Sequence, residues 1–208
     1  MSAISAAPPS VVVFDLGGVI ADWNPRYLLS SIIAEPRALD WFLANVCNTE
    51  FFLALDLAKD SREAAKPHMA RFPDHAHHLA TYVERFAETV RGEIAPMSEL
   101  MRRLHKAGVP MHGLTNWAAD TFAATRPRLP VLELMGHITV SGEEGLVKPD
   151  PRIFALVCQR GGFAPKDGVF VDDSLKNVEG ARAFGLRAIH HRTPDETIAE
   201  LREMGLPA

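Results

Sequence analysis

Apolar and polar positions along this chain fall into two textures. From Met97 onward, segments spaced for helices alternate with short apolar runs spaced for strands. Leu100, Met101 and Leu104 share a helix face that Ser98 is placed to cap and Gly108 to end, and a strand follows over 109–114. A short strand fits His137–Val140. A helix opening at Pro151 turns Ile153, Phe154, Leu156 and Val157 inward and closes at Gly161 and Gly162. A strand over 168–171, a helix over Leu175–Phe184 and a strand over 186–190 come next. Thr193, Pro194 and Glu196 combine a cap, a proline at the first helical position and a capping-box acid, so a last helix starts there. Strand–helix alternation of this kind builds a parallel sheet with helices on both faces. Between 22 and 93 helical spacing dominates, strand signals vanish and glycines are few, with 79–90 reading as a packing helix. The pattern predicts a three-layer α/β/α core of residues 8–21 and 94–208, interrupted by a helical unit over 22–93.

The strand ends carry the chemistry. Val11, Val12, Val13 and Phe14 form a strand that runs into Asp15 and a turn containing Gly17 and Gly18. In an open α/β sheet ligands bind at the carboxyl ends of strands, and glycines there let a ligand approach backbone amides. Thr115 and Asn116 follow the strand ending at Leu114, Lys148 precedes Pro149, and Asp172 and Asp173 follow the strand ending at Val171. Each has a plainer reading: a solvated strand end for Asp15, a helix cap for Thr115 and Asn116, an exposed lysine, a capped helix start for the aspartate pair. Asp150 reads as a turn or cap residue. Taken together, a carboxylate nucleophile, a hydroxyl, an ammonium and an acidic pair at one sheet edge suit phosphoryl transfer. Carboxylates about 4 Å apart at an effective dielectric of about 20 repel by roughly 4 kcal/mol per pair, a penalty that a divalent cation removes.

Composition narrows the field. A chain of 208 residues, 47% hydrophobic, can bury a full core. The net charge of −4 and the absence of a basic block make nucleic acid and membrane surfaces poor partners, leaving small molecules. Cys47 and Cys158 are too far apart in the chain for a zinc or redox motif and read as core thiols in a reducing compartment. Residues 1–10 lack the positive flank of a signal peptide, and no apolar stretch reaches the roughly 18 residues of a membrane span. The expectation is a soluble, cytoplasmic protein, with monomer and homodimer both open.

The four stations, in this order and with βα spacing, resemble the haloacid dehalogenase-like (HAD) superfamily, in the subgroup with a helical cap after the first motif. The most specific pieces are Lys148 to Pro151 and the segment from Asp172 to Ala181, and the glycine two residues beyond Asp15 resembles the α-D-glucose-1-phosphate phosphatase-like branch. The resemblance implies a Rossmann-like core with an inserted helical cap, and a phosphatase acting on a small, sugar-like phosphate. Asp15 would form an aspartyl-phosphate, Thr115 and the amides around Gly17, Gly18 and Asn116 would hold phosphoryl oxygens, and Lys148 would neutralise charge. Mg²⁺ would bind Asp15, the Gly17 carbonyl and one or both of Asp172 and Asp173, with Ser174 and Asn177 supporting that loop. Trp23, Asn24 and Trp117 become candidate substrate contacts and Arg26 a candidate anion site, beside the plainer readings of core tryptophans and an exposed arginine.

Gly17 departs from the family pattern, in which the residue two beyond the nucleophile is an acid that protonates the leaving alcohol. Such help is worth about 10² to 10⁴ in rate, so good leaving groups would suffer least from its loss. Asp22, Asp120, His68, His75, His77 and His78 are candidate substitutes; His75, His77 and His78 could also suggest a metal, but in a proline-bounded polar turn they read first as solvated turn residues. Two other readings stand beside the phosphatase: a metal-independent 2-haloacid dehalogenase, against which the acidic pair argues, and a silent phospho-ligand binder.

Overall fold

The computed structural model describes residues 7–208; the expectation about a leader concerns residues that lie mostly outside this range. In chain order the strands and helices are β1 (Val11–Phe14), β2 (Ala21–Trp23), α1 (Arg26–Leu29), α2 (Pro36–Asn45), α3 (Thr49–Asp56), α4 (Ser61–Arg71), α5 (Ala76–Glu84), β3 (Val90–Glu93), α6 (Ala95–Lys106), β4 (Met111–Thr115), α7 (Ala119–Thr125), β5 (His137–Val140), α8 (Ser141–Glu144), α9 (Pro151–Gly161), β6 (Gly168–Asp172), α10 (Leu175–Phe184), β7 (Arg187–His190) and α11 (Pro194–Glu203).

Five strands form a parallel sheet in the order β5-β4-β1-β6-β7. A parallel sheet is covered on both faces, which is why β1, β4 and β6 are buried at every position. Side chains alternate between faces: Val12 and Phe14 join α6 and α11 residues such as Leu100, Leu104 and Leu201 in one core. Val13 and Leu114 pack on the opposite face with Ile153, Phe154 and Val157 of α9 and Val178 and Ala181 of α10. Chain order reverses about β1, so the carboxyl ends of β4, β1 and β6 lie side by side where such sheets bind ligands.

Between β2 and β3 the chain is helical, as its spacing predicts, and α1 to α5 gather Leu28, Phe42, Phe51, Leu55, Leu79 and Tyr82 into a separate apolar cluster. The strands at its root were not legible: β2 and β3 pair antiparallel where strand signals vanish, since each has only three or four residues, too few for a period of two to register. Hydrogen bonds from Asn24 N to Thr89 O (2.8 Å) and Ile94 N to Ile20 O (2.7 Å) extend this ribbon, so both chain crossings into the insert lie together. The packing helix expected over 79–90 ends earlier, at Glu84, and gives way to a 3-10 turn and β3. Ser98 is no cap: α6 starts at Ala95 and Pro96, and Ser98 is buried inside it. Asp150 and Thr193 do cap α9 and α11, accepting from Arg152 N and Glu196 N.

The C-terminal end of α3 is fastened to the sheet layer. Ser141 Oγ donates to Asp56 O (2.5 Å), Ala119 N donates to Ala58 O (3.0 Å), and Gly142 sits against both backbones. A methyl group at Gly142 would overlap Ala58 O and lie 2.5 Å from Ala119 N. Gly142→Ala is therefore expected to cost about 1–3 kcal/mol, the usual result of overpacking. That lowers Tm by about 2–4 °C per kcal/mol for a chain of this size. Thermal denaturation with an unshifted midpoint would show that this joint gives freely.

Candidate active site

Asp15 continues the ladder beyond β1, its N–H donating to Val171 O (2.8 Å). Its Oδ1 accepts from Leu16 N (2.7 Å) and lies 2.7 Å from Lys148 Nζ, while its Oδ2 makes no hydrogen bond among the described residues. Burial pushes the carboxyl up to about 8; Lys148 pulls against this, and Asp172 and Asp173 add to it. The following turn is tight, with Ile20 N and Ala21 N both donating to Leu16 O (2.8 and 2.7 Å). Gly18 has φ +75°, and a Cβ there would stand 2.6 Å from Asp173 Oδ2, so both backbone and space demand glycine. At Gly17 a Cβ would meet nothing within 4 Å, and the position faces open space.

Lys148 is 5% exposed and far from being a surface lysine. Its Nζ bridges Asp15 Oδ1 and Asp172 Oδ2, each at 2.7 Å, and sits 5.4 Å from the Phe170 ring centroid. Burial works to lower its pKa, but Asp15 and Asp172 outweigh this and hold the ammonium above its ordinary value. Asn116 braces the lysine: its Oδ1 accepts from Lys148 N (2.8 Å) and its Nδ2 donates to Lys148 O (3.3 Å). Thr115, the last residue of β4, is 1% exposed beside it.

The two late aspartates differ. Asp172, fully buried at the end of β6, accepts from Ser174 N (2.8 Å), Asn177 Nδ2 (3.1 and 3.2 Å) and Lys148 Nζ (2.7 Å). Ser174 and Asn177 thus support the loop as expected. The Asp173 side chain makes no hydrogen bond among the described residues, and burial, with Asp172, raises its pKa against the pull of Lys148. Ligand atoms from Asp15, Asp172 and Asp173 lie within 4.8 Å of one another, close enough to hold a metal ion together. The chemistry of the set, all hard oxygens, fits a cation such as Mg²⁺.

These residues floor a cavity of about 210 Å³. Asp15, Gly17, Thr115, Asn116, Lys148, Asp173 and Asn177 line it from the sheet edge, with Trp117. Trp23, Phe52, Leu55, Asp56, Tyr82 and Phe86 line it from the insert and its root. Phe86 meets Trp117 across the gap (ring centroids 5.6 Å apart), and Trp23 packs edge-on to Phe52 (5.9 Å). Trp117 Nε1 is buried with no hydrogen-bond partner among the described residues, and Trp23 Nε1 and Tyr82 Oη are buried close to each other.

Several sequence candidates are placed elsewhere. Asn24 does not line the cavity; its Oδ1 accepts from Arg26 N (2.9 Å), a turn role. Gly18 serves the turn beneath Asp173. Arg26 is exposed and paired with Asp40 (2.6 Å). None of the candidate substitute acids reaches the cavity. Asp22 accepts from Tyr27 Oη (2.7 Å), Asp120 accepts from Ser61 N and Oγ (3.0 and 2.7 Å), and His68 is buried against Val46 O (2.6 Å). His75 and His78 pack on Phe42 and His77 on His78, and no metal cluster of these histidines occurs among the described residues. Asp56, Phe52, Leu55, Tyr82 and Phe86 were missed. A lone acid ending the apolar run Phe51, Phe52, Leu53, Ala54, Leu55 was the available signal.

Comparisons with known proteins bear on the family and the fold. The chain is 28% identical over 203 residues to the sesquiterpene phosphatase astK of Aspergillus oryzae, covering 92% of this chain and 94% of that one. It is 32% identical over 149 residues to a phosphoserine phosphatase of Thermus thermophilus, covering 64% and 58%. In fold it resembles a HAD family enzyme of Bacteroides thetaiotaomicron solved with magnesium and inorganic phosphate (TM-score 0.62, 17% identity, 87% and 93% covered). It also resembles the L-2-haloacid dehalogenase of Xanthobacter autotrophicus (TM-score 0.63, 18% identity, 96% and 84% covered). The model of the haloacid dehalogenase-like hydrolases matches residues 9–185, and the chain belongs to that family of hydrolases.

Proposed function

We propose that this hydrolase is a Mg²⁺-dependent phosphomonoesterase that works through an aspartyl-phosphate on Asp15. The observation that carries the reading is the oriented carboxylate: Oδ1 is held by Leu16 N and Lys148 Nζ while Oδ2 has no partner among the described residues, and Asp15 lines the cavity. Asp15 Oδ2 attacks phosphorus, the bond to the leaving oxygen breaks, and water then releases phosphate and restores the carboxylate. Thr115 supplies a hydroxyl to a phosphoryl oxygen, and Lys148, kept charged by its two carboxylates, offsets the growing charge. Asn116 acts on the reaction by fixing the Lys148 backbone. Asp15, the Gly17 carbonyl and Asp173, with Asp172 behind it, would hold Mg²⁺, which when bound supplies charge neutralisation for the anionic phosphoryl group.

The helical insert acts as the cap that selects the organic group. Aromatic walls suit an apolar face, while Trp117 Nε1 and the Tyr82 hydroxyl ask for acceptor oxygens, a combination that fits a sugar-like phosphate. The names of the phosphatase relatives support the phosphoryl chemistry. The dehalogenase alternative is disfavoured by Asp173, a carboxylate beside the nucleophile that an anionic haloacid would meet without compensation.

Phosphate release from a panel containing glucose 1-phosphate, farnesyl phosphate, phosphoserine and p-nitrophenyl phosphate, with Mg²⁺ and with chelator, tests this reading beside chloride release from 2-chloropropionate. The expected result is phosphate release only with Mg²⁺ and fastest from the sugar phosphate. Chloride release in chelator would identify a dehalogenase, preference for farnesyl phosphate would assign the aromatic walls to a hydrocarbon, and silence throughout would leave a binder.

A further inference from the structure

Gly17 leaves the sheet edge without an acid for the leaving group, and its side-chain space is open. One acidic group reaches the cavity from the opposite side. Asp56 ends α3, whose start is fixed by Asn48 accepting from Glu50 N and Phe51 N. Phe51 and Leu55 turn into the apolar cluster of the insert, so Phe52 and Asp56, one turn apart, share a neighbouring face, and both line the cavity with Asp15, Gly17 and Lys148. The backbone here does not drift: Ser141 Oγ holds Asp56 O and Ala119 N holds Ala58 O. The Asp56 carboxyl, half-buried among Leu55, Tyr82 and Phe86, has no hydrogen-bond or ion-pair partner among the described residues. A carboxyl with no structural partner, clamped by its backbone and aimed into a reaction cavity, is unusual for a residue that only serves folding.

We propose that Asp56 is the acid–base group of this site, delivered by the insert in place of the acid missing at Gly17. The inference rests on the phosphatase reading. In the first half-reaction the Asp15–phosphorus bond forms, the bond from phosphorus to the substrate oxygen breaks, and the Asp56 proton goes to that oxygen. In the second, water adds to phosphorus, its proton returns to Asp56, and the bond to Asp15 breaks. Burial pushes the Asp56 carboxyl up to about 7, against the pull of Lys148, which suits a group that must both give and take a proton near neutrality.

Rapid-quench measurement of the alcohol or phenol released in a single turnover tests this with the full chain and Mg²⁺, comparing wild type and Asp56→Asn on p-nitrophenyl, phenyl and glycerol phosphates. Asp56→Asn is expected to slow the alkyl phosphate by about 10² to 10⁴ and the p-nitrophenyl ester by less than about tenfold, because only a poor leaving group needs the proton. The phosphorylated enzyme, seen as a mass gain of one phosphoryl group, should then accumulate because water is no longer activated. Where Asp56→Asn does not fold, Asp56→Ser repeats the comparison. Equal slowing of all three esters, or none, overturns the assignment while leaving the phosphatase reading intact; wild type inactive on every ester overturns both.

Discussion

Replacing Asp15 with Asn is expected to cut phosphate release by roughly 10⁴-fold or more without unfolding the protein. On the proposed mechanism the loss follows from removing the atom that would bond to phosphorus; a nucleophile is not replaced by binding contacts that remain, which leave only a small residue of catalysis. Stability moves the other way. Asn keeps an oxygen for Leu16 N, and Lys148 keeps Asp172 as its counter-charge at 2.7 Å. The Asp15 carboxyl is raised from 3.8 to about 8 by burial, so its ionised form is disfavoured in the folded chain. In chelator this makes wild type lose stability as pH climbs from about 4 towards 8, because the unfolded chain gives up that proton more readily. An Asn at the position removes the effect. Calorimetry at pH 8 in chelator should find the Asp15→Asn midpoint equal to wild type or higher, beside a phosphatase assay near background. A variant with a tenth of wild-type activity would show that the phosphoryl group goes elsewhere.

The sheet edge was legible in the sequence because buried parallel strands are continuous apolar runs, and what breaks each run is visible: Asp15 after Phe14, Thr115 after Leu114, Asp172 after Val171. Lys148 could be read for the same reason, as a charge in a loop feeding a helix at Pro151. The roof was not legible. Phe52, Tyr82 and Asp56 lie on helices whose apolar spacing reads simply as internal packing, and nothing in that spacing says which neighbouring face meets the sheet edge. That meeting is set by long-range joints, the short β2–β3 ribbon and the contacts of Ser141 and Gly142 with the chain at 56–58, which leave no periodic trace. The turn histidines take a packing role that their polar setting hid: His75 and His78 pack on Phe42 and His77 on His78. Asp56 was the quieter signal, one acid at the end of an apolar stretch.

Lys148→Met should damage both fold and chemistry, and a second substitution should separate the two. Methionine matches the stem of lysine but leaves Asp172, 0% exposed, facing Asp15 with only Ser174 N and Asn177 Nδ2 as donors. Removing one partner of a buried ion pair costs about 3–5 kcal/mol, because the remaining charge is uncompensated. Loss of the ammonium at the reacting group should independently lower kcat by about 10² to 10³, the range for a single electrostatic donor. In Lys148→Met combined with Asp172→Asn the buried charge is gone and the amide still accepts from Ser174 N, so most of the lost stability returns. Activity does not, since the ammonium beside Asp15 Oδ1 is still missing. Denaturant melts of the four chains in chelator, with kcat measured in Mg²⁺, complete the cycle. A double variant no more stable than Lys148→Met alone would mean that Lys148 stabilises the chain through packing on Phe170, and one that recovers kcat would mean that it has no part in the reaction.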